Sequence, residues 1–242
     1  MSNWKRFLFA SDVHGSEQDV KANKALFTFL GDYRPDIRVM GGDLFDFAAL
    51  RKKASEEERR ISIKEDFEAG REWFGQFKPG HMLEGNHDKR LRLLAEENRG
   101  PISDYGKVLQ GTFLEDCRKL KCAWYPYDKR HGIARIGNLK CLHGYAHGIG
   151  AARKMAQIYG ACIFGHGHAV QFSSIEGLED RTARMAGCLC KLDLPYVEAS
   201  LGSLMWRHGW IFGVVHDKTG NYMCWQAEEI EGKFIFPKDV NV

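Results

Sequence analysis

Five short apolar runs in this chain each end in a glycine-containing segment that carries carboxylate, amide or imidazole side chains. The five segments read FLFASDVHG, IRVMGGDLFD, HMLEGNHDKRL, KCLHGYAH and ACIFGHGH. A short apolar run bounded by turn residues is typical of a strand that is buried on both faces. Parallel strands would place these polar ends along one edge of a sheet, so the repeated pattern favours an α/β fold with a polar site at that edge.

Helical patterns separate the first three predicted strands. Residues 18–30 carry apolar side chains at helical spacing, and a second amphipathic stripe covers residues 63–77. The order strand, helix, strand, helix, strand predicts parallel pairing with right-handed crossovers. The rest of the chain is richer in strands, with a predicted hairpin at residues 133–142, a helix at 150–159, and strands at 161–164, 170–175, 210–215 and 222–228.

Length, charge and cysteine content restrict the class of protein. The 242 residues suit one domain over residues 1–242, and we expect a small cap insertion around residues 99–130, where the pattern is least readable. A net charge of +3 is too small for a protein that coats nucleic acid. No apolar run approaches the roughly 20 residues of a membrane span, and no signal peptide is recognisable. We expect a cytoplasmic protein without membrane contact, whose seven cysteines are reduced thiols.

The side chains at the predicted strand ends are types that bind metal ions. An open α/β sheet places its site in the crevice beyond the carboxyl ends of its strands. Carboxylates, imidazoles and one amide, without a thiolate, suit manganese, iron, zinc or magnesium. The candidate residues, in chain order, are Asp12, His14, Asp43, Asp46, Asn86, His87, Asp88, His143, His166 and His168.

Several of these residues also have a purely structural explanation. Asp12 fits a turn, Asp46 and Asp88 fit helix caps, and His143 fits a hydrogen-bonded core histidine. Two histidines around one glycine, as in GHGH, have little structural use at a strand end. Because all the structural explanations must hold at once, one metal site explains the five segments with fewer assumptions.

The ordered set DVH, GGDLFD, GNHD, HG and GHGH, within residues 12–168, resembles the calcineurin-like metallophosphoesterases. This family comprises phosphatases and phosphodiesterases with two metal ions in one site. The resemblance implies a four-layer αββα sandwich, in which two mixed β-sheets are flanked by helices. The strand-rich part of the chain after residue 170 is then expected to supply much of the second sheet.

The resemblance also implies a role for individual residues. Asp43 corresponds to the carboxylate that bridges two divalent ions, and His87 to the residue beside the leaving-group oxygen, as a general acid or a donor to the phosphate. Asp46, Asp88 and Arg90 are expected to support the site or contact the substrate. The other implied ligands are Asp12, His14 and His168 for one ion, and Asn86, His143 and His166 for the other.

The implied chemistry is hydrolysis of a phosphate ester. Manganese is the expected metal, with iron, zinc, nickel and magnesium as alternatives. Two ions roughly 3.5 to 4 Å apart neutralise the ester and fix a bridging hydroxide for in-line attack, and an imidazole that titrates near neutral pH protonates the departing oxygen. Asp88 is expected to hydrogen-bond His87 or a backbone amide, or to cap a helix.

The motifs give less information about the substrate. Phe47 follows GDLFD where protein serine/threonine phosphatases carry arginine, and Asp88 replaces their glutamate, which argues against that class. The motifs are closer to repair exonucleases and to compact phosphoesterases encoded by phages and prophages. We therefore expect a phosphodiesterase or nuclease acting on DNA, RNA or a nucleotide, with no obligatory protein partner.

Two alternatives differ in class. One is a phosphomonoesterase acting on nucleotides or other small phosphorylated metabolites, and the other is a non-catalytic interaction module on the same fold. Trp124, Tyr125 and Tyr127 are expected either to stack on bases or to lie in a core strand.

Overall fold

The computed structural model describes residues 3–97, 100–194 and 201–237. It contains two mixed β-sheets. The strands of the larger sheet are β1 (Trp4–Ala10), β2 (Ile37–Met40), β3 (His81–Leu83), β4 (Ala123–Tyr125), β10 (Gly209–His216), β11 (Tyr222–Ile230) and β12 (Lys233–Ile235). Those of the smaller sheet are β5 (Ala134–Ile136), β6 (Leu139–Leu142), β7 (Cys162–Phe164), β8 (Val170–Ser174) and β9 (Thr182–Ala186).

The strand order explains how both sheets become mixed. The larger sheet has the order β12-β11-β10-β1-β2-β3-β4, and the smaller has β5-β6-β7-β9-β8. β1 to β4 are parallel, whereas β10 joins β1 in the antiparallel sense. In the smaller sheet β6, β7 and β9 are parallel, with antiparallel strands at both edges. The two mixed sheets and five helices found in the described residues confirm the predicted fold class.

The five helices lie outside the two sheets. They are α1 (Val20–Tyr33), α2 (Ile63–Phe77), α3 (Asp88–Glu97), α4 (Pro101–Lys119) and α5 (Ala151–Tyr159). Asp19 caps α1 by accepting a hydrogen bond from the Ala22 amide at 2.8 Å, which explains why the helix begins two residues after the predicted start. Ser62 caps α2 in the same way through the Glu65 amide, at 3.2 Å.

Alternation along β1 shows why the chain forms layers. Phe7 and Phe9 point between the two sheets and pack with Ile163 of the smaller sheet. Leu8 and Ala10 point to the opposite face, in the cluster that contains apolar residues of α1 and α2. Because successive side chains of a strand point to opposite faces, a continuous apolar run serves a strand buried on both sides. α5 covers the outer face of the smaller sheet.

Three strands that the sequence patterns do not predict complete the sheets. β9 has Arg184 at its centre, over the Phe172 ring of the neighbouring strand at 4.4 Å, so it lacks a continuous apolar run. β4 follows α4 and pairs with β3, and the short β12 extends the other edge. Trp124 and Tyr125 therefore lie in a strand. The described part of residues 99–130 includes α4 and β4. That this segment forms a cap stays a prediction.

Two further expectations concern the whole chain. Across residues 3–97, 100–194 and 201–237, no helix combines the length and apolar character that a membrane crossing requires. All seven cysteines are free and buried.

Candidate metal centre

The five polar segments meet at one edge of the sandwich. Three of them follow β1, β2 and β3 of the larger sheet, and two follow β6 and β7 of the smaller one. The Asp12 amide donates to the Gly42 carbonyl at 2.9 Å, which joins the first two segments. The Asp12 carboxylate accepts a hydrogen bond from the His166 amide at 3.0 Å, which joins the two sheets.

Four buried side chains form a first group of donor atoms. The group consists of Asp12, His14, Asp43 and His168, each with one ligand-type atom within 4.8 Å of the others. The Nε2 atoms of His14 and His168 are 3.1 Å apart, and His168 Nε2 is 3.2 Å from Asp12 Oδ1. Asp43 Oδ2 is 3.9 Å from His14 Nε2.

A second group lies on the other side of Asp43. It contains Asp43, His143 and His166, and Asn86 adds a neutral oxygen. His143 Nε2 is 3.2 Å from Asp43 Oδ2 and 3.0 Å from Asn86 Oδ1. Asn86 Oδ1 is also 2.8 Å from His166 Nδ1. Asp43 therefore belongs to both groups, and the structure brings all seven predicted ligands together.

The two buried carboxylates require positive charge. Burial raises the pKa of the Asp12 carboxyl, but its hydrogen bond with His168 and the nearby imidazole charges outweigh burial and hold the pKa below its ordinary value. Burial likewise raises the pKa of Asp43, yet the charges of His143 and His87 hold it well below its ordinary value. Both residues are thus carboxylates in the interior, where bound cations would be stabilised.

The surroundings raise the pKa of two of the histidines and lower the pKa of a third. Burial lowers the pKa of His143, but Asp43 raises it more strongly, to about 9. For His168, the hydrogen bond and charge of Asp12 outweigh burial and raise the pKa to about 9. Burial and the charge of His143 lower the pKa of His166 to about 4. Divalent ions at this site would replace the protons that His143 and His168 draw in, because metal ligands must be deprotonated.

The backbone at the candidate ligands is strained. Ten described residues other than glycine have positive φ, and five of them are candidate ligands. Left-handed backbone is unfavourable for residues with a Cβ and is retained where the surroundings require it, often at functional sites. The five ligands, with φ between 52° and 68°, are Asp12, His14, Asp43, His166 and His168.

Two glycines permit the close approach of the ligand segments. A Cβ at Gly85 would lie 2.1 Å from Asp43 Oδ1 and 2.3 Å from the Asp43 amide nitrogen. A Cβ at Gly165 would lie 2.3 Å from Asp12 Oδ2. Since neither distance is tolerable for a carbon atom, the two carboxylates can occupy these positions only beside glycine.

Asp46 connects the first donor group to His87. Its Oδ1 accepts from His14 Nδ1 at 2.8 Å and from His87 Nδ1 at 2.9 Å. Burial raises the pKa of Asp46, but the hydrogen bonds and charges of the two imidazoles outweigh burial, and the pKa lies below its ordinary value. With Nδ1–H directed at Asp46, His14 presents its Nε2 lone pair to the other donor atoms.

His87 lies between Asp46 and Arg90. Its amide donates to Asp43 Oδ1 at 2.8 Å, and its ring meets the His14 ring edge to face, with centroids 4.6 Å apart. The Nη2 atom of Arg90 is 3.3 Å from His87 Nε2, and Nη1 donates to the Asp46 carbonyl at 2.8 Å.

Asp88 links two loops through hydrogen bonds to their backbone amides. Its carboxylate accepts from the Phe45 amide at 3.0 Å and from the Gly85 amide at 2.8 Å. Of the roles left open by the sequence, the structure therefore supports hydrogen bonding to backbone amides. Burial and the charge of Asp43 raise the pKa of Asp88 to about 8.

Three residues make contacts at the site that have no local sequence signal. Asp66 in α2 accepts hydrogen bonds from the amides of Ser16 and Phe47, at 3.1 and 3.0 Å, and so ties two ligand loops together. Cys190 Sγ is 3.8 Å from His168 Nδ1. The Trp206 ring lies against His168, with centroids 4.1 Å apart.

Comparisons with known proteins give one family match and several similar solved structures. A family model described as calcineurin-like phosphoesterase matches residues 5–229. A metallophosphoesterase from Sphaerobacter thermophilus is 14% identical over 93% of this chain and 88% of its own, with a TM-score of 0.47. Vps29 from Entamoeba histolytica, solved with zinc, is 13% identical over 92% of this chain and 98% of its own, with a TM-score of 0.45. A phosphoesterase from E. coli is 15% identical over 91% of this chain and 97% of its own, with a TM-score of 0.40. A sequence comparison with curated proteins gives no match.

Proposed function

The chain belongs to the calcineurin-like phosphoesterase family, and from this premise we propose that it is a binuclear metal-dependent phosphoesterase, with phosphodiesters or nucleic acids preferred over phosphomonoesters. The observation that carries the proposal is the position of Asp43. Its Oδ2 is 3.2 Å from His143 Nε2 and 3.9 Å from His14 Nε2, so one carboxylate faces both donor groups.

The donor set fits two divalent ions. Two carboxylates, four imidazoles and one amide oxygen converge in a buried crevice, and such ligands suit manganese, with iron, zinc, nickel and magnesium as alternatives. In the proposal, Asp12, His14 and His168 would hold one ion, Asn86, His143 and His166 would hold the other, and Asp43 would be a ligand to both. When bound, the ions supply positive charge that neutralises the ester and makes an attacking water more acidic.

Hydrogen bonds with other groups of the protein orient the side chains of the candidate ligands. The Asp43 oxygen that does not face the histidines accepts the His87 amide, so the bridging carboxylate cannot rotate freely. His143 Nδ1 donates to the Gly41 carbonyl at 2.9 Å, which leaves the Nε2 lone pair for a ligand role. Asp46 does the same for His14.

His87 is proposed as the proton donor to the leaving-group oxygen. Its Nδ1–H is directed at Asp46 at 2.9 Å, so a proton passed to the leaving group would be carried on Nε2. The ring is 13% exposed and meets the His14 ring edge to face, and Nε2 is 3.3 Å from Arg90 Nη2. A general acid in this position lowers the barrier for esters with poor leaving groups.

The test compares two nitrophenyl esters. Metal-stripped protein is reloaded with manganese, and rates are measured on bis(p-nitrophenyl) phosphate and p-nitrophenyl phosphate, with Asp43→Asn as the blank. We expect hydrolysis of both, faster on the diester, and none with Asp43→Asn. A preference for the monoester would favour action on nucleotides or other small phosphorylated metabolites, and inactivity on both esters would contradict the enzymatic proposal in favour of an interaction module.

A further inference from the structure

Arg90 differs from Arg92 and Arg71 because it has no described carboxylate partner. Arg92, two residues further along α3, is 3.1 Å from Glu84 and 3.0 Å from Glu96, and Arg71 is 2.6 Å from Asp116. No ion pair within 4 Å joins Arg90 to a carboxylate in the described ranges. Its guanidinium instead donates through Nη1 to the carbonyls of residues 46 and 47, at 2.8 and 3.4 Å.

The guanidinium also has N–H groups that take part in no described hydrogen bond. Arginine has five N–H groups, and the contacts described for Arg90 involve Nη1 and Nη2 alone. Within the part of the chain that the structure covers, Nε donates to no atom. A half-buried cation that has unused donors and contacts two carbonyls and one imidazole, but no carboxylate in the described ranges, is suited to an anion from outside the chain.

The position of Arg90 indicates which part of a substrate it meets. Nη2 is 3.3 Å from His87 Nε2, the nitrogen assigned to the leaving-group oxygen. Among the described hydrogen bonds and ion pairs, none joins Arg90 to any of the seven candidate ligands. His87 contacts both His14 and Arg90, so it stands between the first donor group and the guanidinium. An anion at Arg90 therefore lies beyond the leaving-group oxygen.

We propose that Arg90 binds a second phosphate carried by the leaving group, so that the preferred substrate is a nucleotide ester with more than one phosphate. This inference rests on the proposed function, because it takes the scissile phosphate to lie between the two donor groups. A second phosphate would accept from the free face of the guanidinium and compete with His87 for Nη2. An ester whose leaving group is uncharged forgoes this contact.

The test measures binding without relying on turnover. Manganese-loaded protein is titrated calorimetrically with thymidine 5′-monophosphate, thymidine 3′-monophosphate and thymidine 3′,5′-bisphosphate. We expect the bisphosphate to bind about tenfold more tightly than either monophosphate, which corresponds to about 1.4 kcal/mol. Arg90→Gln is expected to bring this ratio close to one, mainly by weakening the bisphosphate complex.

Lys89→Gln is the matched control, because it removes the same charge from the adjacent residue of α3. It should retain the tenfold ratio. The inference is overturned if Arg90→Gln keeps the ratio, or if it weakens all three nucleotides equally, since Arg90 would then act on the scissile phosphate or on His87 alone.

The same preparations are assayed on bis(p-nitrophenyl) phosphate. Hydrolysis without a bisphosphate preference contradicts only the role of Arg90. A bisphosphate preference without hydrolysis contradicts only the proposed enzymatic function.

Discussion

Replacing Asp46 by alanine removes one oxygen that holds two imidazoles. Asp46 Oδ1 accepts from His14 Nδ1 at 2.8 Å and His87 Nδ1 at 2.9 Å, and the carboxylate is almost fully buried. Hydrogen bonds to a charged group contribute about 1.5–3 kcal/mol each. For two such bonds we therefore expect the free energy of unfolding of metal-stripped protein to fall by about 3–6 kcal/mol.

The substitution should also weaken metal binding. His14 would lose the partner that directs its Nε2 lone pair toward the other donors. Loss of such a hydrogen-bonded partner lowers metal affinity about 10–100-fold. Calorimetric titration with manganese should therefore show a weakened site at His14, while the site at His143 and His166 is affected less.

The stability difference has a predicted pH dependence. The pKa of Asp46 is lower in the folded protein than its ordinary value of 3.8. A carboxyl of this kind contributes its full stability above the unfolded-state pKa and loses that contribution as the pH falls through the folded-state pKa. The difference between wild type and Asp46→Ala should thus be complete at pH 6 and shrink below about pH 4.

The chain provides a matched control. Asp128 and His131 form an aspartate–histidine pair at 2.9 Å on the surface, with side chains 45% and 79% exposed. Asp128→Ala should change the free energy of unfolding far less than Asp46→Ala, because an exposed ion pair contributes little to stability. Urea unfolding at several pH values measures both variants. If Asp46→Ala matches Asp128→Ala in stability and retains manganese affinity, the assigned role of Asp46 is refuted.

Three further substitutions test other parts of the account. His87→Ala should lower turnover strongly on esters with poor leaving groups and less on nitrophenyl esters, which need little protonation; equal losses would argue against a proton donor. Gly85→Ala should reduce hydrolysis about 100-fold by displacing the bridging carboxylate, whereas Gly75→Ala, which meets no atom within 4 Å, should leave it unchanged; equal activity in the two variants would refute the steric argument. His208→Gln tests a pH-dependent contact: burial lowers the pKa of His208, but its hydrogen bond with Glu229 raises the pKa above the ordinary value. Its contribution is therefore full below pH 6.5 and lost as the pH rises through the folded-state pKa. Urea unfolding at pH 5.5 and 9 should show that His208→Gln lowers the free energy of unfolding more at the lower pH. A larger decrease at pH 9 would contradict the assigned contact.

Local patterns were sufficient for the elements that carry the site. The run IRVM coincides with β2, α2 covers the predicted residues 63–77, and β6 ends at residue 142, where the predicted hairpin ends. β1 begins three residues before the run FLFA, and β7 begins one residue after the predicted start at 161. A parallel strand buried on both faces must be a continuous apolar run, and its polar end must face the sheet edge. The convergence of the five segments follows from these two constraints.

Contacts between distant segments could not be read from the sequence. Asp66 accepts from amides 50 and 19 residues away, and it resembles any acidic residue in the first turn of a helix. Asp46 reaches His14 and His87 over separations of 32 and 41 residues. β9 lacked a signal because Arg184 interrupts its apolar pattern, while its neighbours complete the hydrogen-bond ladder. These features depend on the assembled fold rather than on a local pattern.

The most direct test of the central claim is to locate metal ions in crystals of the manganese-loaded protein by anomalous scattering at the manganese edge. We predict two peaks, one on each side of Asp43 Oδ2, with Asp12, His14 and His168 around one and Asn86, His143 and His166 around the other. A single peak, no peak, or peaks away from Asp43 would contradict a binuclear centre built from these seven residues.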